Sequence, residues 1–379
     1  MTGDMENVIE QQVERLERFV LRKDELKAAH PLRYLFWETT LRCNMQCLHC
    51  GSDCVCDNST QAAELKVDEI KAELQSIAQV YAPNTITFAM IGGEPLLRKD
   101  DVCDVGAYAA RLGYHWGIVT NGMLLDDGTI CRLRQSGLQT ISVSLDGLER
   151  EHDTLRNRPG AYRRVIPAIE RLLAERFFQK FDVICCVSKL NIHTLKEFVA
   201  QLCLMGVPAV RFVPIFSRGR ASQNSKLVLD NDDYVQLLRF VAEQRETQTD
   251  IRVTFSEEGY WGPEWEGRIR DSLHYCGAGI LVGSILYNGD VIGCPSMSPS
   301  FVEGNIKDTP FMDVWQRGFS TCRQRRKELF AKQCGDCEHW ILCEGGGLHL
   351  LEQEGVSENQ CCLKKISYEE GNDGRLVHQ

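Results

Sequence analysis

Three cysteines, Cys43, Cys47 and Cys50, form a Cys-x3-Cys-x2-Cys run within Thr40-Leu41-Arg42-Cys43-Asn44-Met45-Gln46-Cys47-Leu48-His49-Cys50. Three thiolates on one short loop can ligate three irons of a cubane cluster and leave the fourth iron without a protein ligand. In catalytic metal sites such an open position is where a substrate or cofactor binds. A zinc knuckle, or three buried thiols, would draw on the same residues. The run belongs to a larger excess, because the 379-residue chain holds 18 cysteines. Disulfides do not persist in a reducing compartment, so this many thiols in a long chain points to metal ligation.

The elements that must position this loop follow from hydropathy patterning. Strands are predicted at Tyr34 to Thr40, Thr85 to Ile91, His115 to Thr120, Thr140 to Leu145, Phe181 to Val187 and Ala209 to Pro214. Helices are predicted between them at Asp68 to Tyr81, Asp101 to Leu112, Asp126 to Gln135, Ala161 to Ala174 and Leu195 to Met205. Six β/α units in succession predict an α/β fold, a partial (β/α)6 TIM-like barrel with helices outside its parallel sheet. Chemistry in such folds sits at the C-terminal strand ends, and the Cys43 loop comes directly after the first of them. Residues 1–30 read as one amphipathic helix packed on the rest of the chain, with Val13, Leu16, Phe19 and Val20 on its apolar side. The barrel is expected over 31–225, a connecting helix and linker over 226–271, a small cysteine-rich α+β domain over 272–366, and a polar tail over 367–379.

Composition removes several functions. Lys plus Arg at 43 against Asp plus Glu at 53 gives a net charge of −10, so no basic surplus exists for a phosphate backbone and no nucleic acid is expected as partner. No apolar run approaches the roughly 18 residues of a spanning helix, and Met1 to Glu10 is acidic where a signal peptide needs a basic start. A cytoplasmic protein with no membrane partner is expected.

The cysteine triplet resembles the signature of radical S-adenosylmethionine (SAM) enzymes, and further motifs fall in that family's order. Gly92-Gly93-Glu94-Pro95, after the second strand, is similar to its GGEP motif, which implies that Gly92, Gly93 and Glu94 meet the amino group of SAM. Thr120-Asn121-Gly122 resembles the TNG turn, placing Asn121 among the cofactor-binding residues. Ser144, before Asp146-Gly147, resembles the serine of the SLDG motif that bonds the ribose, and Arg156 resembles the arginine that pairs with the SAM carboxylate. The resemblance implies a SAM-binding 4Fe-4S cluster on Cys43, Cys47 and Cys50. An electron from a donor such as flavodoxin or ferredoxin would then cleave SAM to methionine and a 5′-deoxyadenosyl radical, which takes a substrate hydrogen atom.

The later cysteines are similar to the SPASM extension of peptide-modifying members, whose cysteines hold two auxiliary 4Fe-4S clusters. Cys334, Cys337, Cys343 and Cys361 or Cys362 match one auxiliary cluster, and Cys276 and Cys294 match part of the other. A zinc ribbon would use the first of these sets. Two departures stand out. Gly347 occupies the place of a further family cysteine, so the first auxiliary cluster is absent, open to substrate, or completed by Cys322, His349 or a spare thiol. Pro295 follows Cys294 where the sulfatase-maturing members carry an acidic residue, which disfavours formylglycine formation.

A peptide or protein side chain is the expected substrate, bound directly or through a separate chain because residues 1–30 are too short for a leader-binding domain. A dehydrogenase or epimerase acting on a sugar or cofactor precursor is the alternative within enzymes. A zinc-binding interaction protein is the alternative outside them. The catalytic acid or base is unassigned. Cys54 and Cys56, close behind the cluster loop, suit a hydrogen-atom donor, a further metal or plain structural thiols, and Arg218-Gly219-Arg220-Ala221 suits either a ligand contact or a solvated loop.

Overall fold

The computed structural model describes residues 2–350 apart from 176, 249, 257–258 and 331–333, and then 361–366. The polar tail expected over 367–379 lies outside the described residues.

Each predicted strand forms, because short runs rich in Val, Ile, Phe and Thr bounded by glycine or polar turns suit a pleated, buried surface. In chain order the barrel elements are β1 (Tyr34–Glu38), α2 (Val67–Val80), β2 (Thr87–Ile91), α3 (Lys99–Leu112), β3 (His115–Thr120), α4 (Asp127–Gln135) and β4 (Thr140–Ser144). They continue with α5 (Glu149–Leu155), α6 (Ala161–Glu175), β5 (Lys180–Val187), α7 (Leu195–Met205), β6 (Ala209–Pro214) and α8 (Asn231–Thr247). α8 begins with a reciprocal cap in which Asp230 accepts from the Asp233 amide and Asp233 from that of Asp230. α3 ends on Gly113 in the left-handed region, with a φ of 96° that a side chain would strain.

The sheet is wider than six strands. β7 (Arg252–Phe255) adds parallel to β6 inside the segment expected as linker, and β8 (Val282–Ile285), from the cysteine-rich region, adds parallel to β1. Two short antiparallel strands, β9 (Asp290–Ile292) and β10 (Gly304–Asn305), extend that edge, giving the order β10-β9-β8-β1-β2-β3-β4-β5-β6-β7. β7 and β8 hold only four residues each, too few to show a period of two against the aromatic and cysteine-rich sequence around them.

The core lies between sheet and helices, with Trp37, Trp116, Trp261 and Trp315 fully buried. The N-terminal helix α1 (Thr2–Ala29) packs against a segment far along the chain. Lys23 donates to the carbonyls of Ile341 at 2.6 Å and Leu342 at 3.2 Å, and both Lys23 and Lys27 pair with Glu344, at 3.3 and 2.5 Å. Periodicity reports that a helix has an apolar face but not which surface covers it.

Candidate active site

The Cys43 loop leaves β1 and is held on three sides. Cys43 N donates to Val55 O at 2.8 Å and Val55 N to Leu41 O at 2.9 Å, so the loop closes on itself. Arg42 is fixed by Glu64 through Nε to Oε1 at 2.8 Å and Nη2 to Oε2 at 3.0 Å. The third side is the turn after β2, where Gly93 N donates to Thr40 O at 2.7 Å and Glu94 N to Arg42 O at 2.9 Å.

These backbones run so close that side chains do not fit between them. A Cβ on Gly92, whose φ is 136°, would sit 2.4 Å from Thr40 O, and one on Gly93 would sit 2.0 Å from Arg42 O. The glycine pair thus serves the cluster loop before it serves any ligand. Gly93→Ala is expected to push the loop off its seat at a cost of about 1–3 kcal/mol in stability, the range of overpacking. Thermal melts and the iron retained after desalting would check it.

Glu94 is fully buried, and its carboxylate accepts from Thr120 Oγ1 at 2.7 Å, Asn121 N at 2.8 Å and Leu96 N at 3.1 Å. Burial pushes its pKa up and those donors oppose the shift. It fastens the turn after β3 to the turn after β2, behind the pocket wall that Gly92 and Gly93 line. Asn121 Nδ2 donates to Asn44 Oδ1 at 2.7 Å and stands 3.8 Å from Cys43 Sγ.

One pocket at the C-terminal strand ends is lined by Cys43, Cys47 and Cys50 together with Gly92, Gly93, Asn121, Ser144 and Arg156. All the sequence-selected residues of the first site therefore converge there except Glu94. Arg156 and Asp146 form a buried pair, Nε to Oδ2 at 2.6 Å and Nη2 to Oδ1 at 3.0 Å, and Arg156 Nη1 faces Cys47 Sγ at 3.8 Å. Burial works against the Asp146 carboxylate, but Arg156, His49 and His152 outweigh it and hold its pKa below the ordinary range.

Five residues had no firm role assigned in the sequence. Asp146 is the partner of Arg156, a link invisible without the fold. His49 lines the pocket with Nε2 at 3.6 Å from Asp146 Oδ2, and burial lowers its pKa to about 4. Cys54 shares the pocket and donates to Cys50, which lowers the Cys50 pKa and raises its own. Glu38, at the end of β1, is buried beside Arg218 and pushed up to about 7 by desolvation. The loop after β6 is a clamp: Arg220 Nε donates to Cys47 O at 2.9 Å and Nη1 to Cys54 O at 2.7 Å.

The donor set suits an iron–sulfur cluster. Three unbridged thiols face one cavity, burial keeps Cys43 (up to about 12) and Cys47 protonated until metal displaces the protons, and Asn121 and Arg156 point N–H groups at sulfur. In the C-terminal region Cys334 has Cys337 and Cys361 as electrostatic neighbours, and Cys343 has Cys334 and Cys361. The Cys362 sulfur instead accepts from Gly259 N at 3.1 Å, which separates the adjacent pair of thiols. Cys276 opens the turn at Gly277 to Gly279, and Gly293, next to Cys294, packs on that turn, where an added Cβ would lie 2.8 Å from Gly279 N.

The sequence profile of the Radical SAM superfamily matches residues 37–202, and that of SPASM, an iron–sulfur cluster-binding domain, matches residues 276–338. The chain is thus a radical SAM enzyme, built to use SAM and a 4Fe-4S cluster. Within that superfamily it is one of the members with a SPASM domain and its auxiliary iron–sulfur chemistry. The AdoMet-dependent heme synthase of Methanosarcina barkeri is 29% identical over 331 residues, 83% of this chain and 90% of that protein. The mycofactocin maturase MftC of Mycobacterium tuberculosis is 28% identical over 318 residues, covering 82% and 77%. Among solved structures, SuiB of Streptococcus suis bound to S-adenosylmethionine shares the fold with a TM-score of 0.68, at 18% identity over 87% of this chain and 77% of that one. No described helix is long and apolar enough to cross a membrane.

Proposed function

We propose that this enzyme modifies a peptide or protein side chain by hydrogen-atom abstraction, with Cys43, Cys47 and Cys50 holding the SAM cluster. The observation that carries the reading is the single pocket that joins these three thiols to Gly92, Gly93, Asn121, Ser144 and Arg156. When bound, the cluster and SAM supply the 5′-deoxyadenosyl radical. The chain's own residues position and shelter. In this reading the Gly92–Gly93 edge and Asn121 meet the methionyl end, Arg156 its carboxylate and Ser144 the ribose. The pocket walls keep water and stray C–H bonds away from a reactive centre that needs near-attack geometry.

The maturase name of MftC and a SuiB structure bound to its precursor peptide support a peptide substrate. The heme synthases favour a second reading, a small-molecule oxidation, and the missing thiol at position 347 favours it too. Cys334, Cys337, Cys343 and Cys361 hold one auxiliary cluster in either case. A flavodoxin or ferredoxin supplies the electron, and an acidic, thiol-rich chain suits the reducing cytoplasm.

The test is anaerobic incubation of reconstituted enzyme with SAM and dithionite, followed by quantification of 5′-deoxyadenosine. Formation is expected without substrate at a low rate and to rise on adding the correct one. Peptides and tetrapyrroles supplied in parallel separate the two substrate classes. Absence of 5′-deoxyadenosine from iron-replete protein would overturn the whole reading.

A further inference from the structure

The place where the SPASM pattern lacks a thiol is not empty space. A Cβ on Gly347 would lie 2.5 Å from Cε1 and 2.7 Å from Nδ1 of His349, so the imidazole already fills the volume of the missing side chain. Its Nε2 is sealed from solvent and has no hydrogen-bond partner among the described residues. A buried imidazole nitrogen left without a proton donor or acceptor is costly unless something not yet present engages it.

The remaining thiols of this site come from one turn and the segments packed on it. A Cβ on Gly279 would sit 2.9 Å from Cys322 Sγ, and one on Gly293, next to Cys294, would sit 2.8 Å from Gly279 N. The turn from Cys276 to Gly279 therefore packs on Cys322 and on the Gly293 backbone that leads into Cys294, and Cys276 and Cys322 are electrostatic neighbours. The two halves are joined by arginines. Arg325 lies against Cys276 and Cys322 and donates Nη1 to Glu344 O at 3.0 Å and Gly346 O at 2.6 Å, on the very loop that leads to Gly347. Arg218 stands within electrostatic reach of both Cys294 and His349 and donates to Met297 O.

Charge points the same way. Arg218 and Arg325 are half-buried cations that donate to carbonyls, Arg218 with Glu38 as its neighbouring carboxylate and Arg325 also bonding the Cys276 sulfur, while the Glu344 carboxylate near Arg325 is already shared by Lys23 and Lys27. Buried cations in excess of carboxylates require another anion. A cubane cluster with three thiolates and one neutral imidazole carries net negative charge and would supply it.

We propose that His349 stands in for the missing thiol of the first auxiliary site, giving a cluster held by Cys276, Cys294, Cys322 and the His349 imidazole. The assignment rests on the radical SAM reading for the presence of iron, but not on the nature of the substrate. Neutral nitrogen in place of thiolate raises a cluster's reduction potential, as histidine ligation does in Rieske centres. The chain would thus own an electron acceptor easier to reduce than an all-cysteine auxiliary cluster.

The experiment is reconstitution of the full chain followed by iron analysis, pulsed EPR of the reduced protein and potentiometric titration, in wild type, His349→Ala and His349→Cys. Wild type is expected to hold about twelve irons, three cubanes, and to show hyperfine coupling from a directly bound nitrogen. His349→Ala is expected to lose that coupling and to drop to about eight irons. His349→Cys is expected to keep about twelve irons, lose the coupling and shift one cluster to a lower potential. About eight irons in the wild type, or spectra and potentials unmoved in His349→Cys, would overturn the assignment. Because 5′-deoxyadenosine formation is read separately on the wild type, failure of the radical SAM reading and failure of the ligand assignment are told apart.

Discussion

Cys43→Ala, Cys47→Ala and Cys50→Ala are each expected to bring 5′-deoxyadenosine formation below detection. The triple variant should lose about four irons per chain, the content of one cubane. The expectation follows from the pocket, which these thiols line together with the Gly92–Gly93 edge and where, among the described residues, Cys54 is the one further thiol and no carboxylate lines the wall to replace one. Cys131→Ala, on the outer face of α4, controls for the loss of a thiol as such and should keep both iron and turnover. Retention of full iron in the triple variant would mean that the metal sits elsewhere, and the assignment of this loop would fall.

The second large effect concerns the pair beneath the loop. Asp146→Asn is expected to destabilise the apoprotein by about 3–5 kcal/mol, because it strands the buried Arg156 guanidinium without its counter-charge. Chemical denaturation measures it, and replacing both partners together by apolar residues should cost less than Asp146→Asn alone. The pH dependence has a definite sign. The folded pKa of Asp146 is depressed, so its contribution is present above the unfolded carboxylate value of about 3.9 and is lost as pH falls through the folded value. Wild type should therefore shed stability in acid more steeply than Asp146→Asn. An equal acid slope in the two proteins would show that folding does not lower the pKa of Asp146.

Much of this architecture could be read from the chain. The alternation of β-rich runs and amphipathic helices from Tyr34 to Pro214 located six strands within a few residues of their ends, because each unit is long enough to display its own period. β7 and β8 escaped, since a four-residue strand declares itself only through its neighbour in the sheet. The pocket was legible wherever function demands a residue type within a short motif, as with the cysteine triplet, Gly92, Gly93 and Ser144. Contacts between motifs were not. Nothing near Asp146 in sequence says that it holds Arg156, and nothing near Arg220 says that it grips the carbonyls of Cys47 and Cys54. For Glu94 the motif drew attention to the right residue, while its three donors reveal a fastening role that only the assembled strand ends create.

The pairing of β8 with β1 has a consequence for biosynthesis. The strand that carries the cysteine loop has one neighbour, β2, within easy reach of its own synthesis, but its other edge waits for Val282 to Ile285, 232 residues after Cys50. At about 5–20 residues per second the ribosome leaves that edge bare for roughly 10–50 s. For that interval the nascent chain presents the loop on a half-covered strand, open to iron–sulfur delivery and equally to strand-to-strand association with other chains. Cells short of iron, or expression hosts that translate faster than they assemble clusters, should accumulate this protein as aggregate.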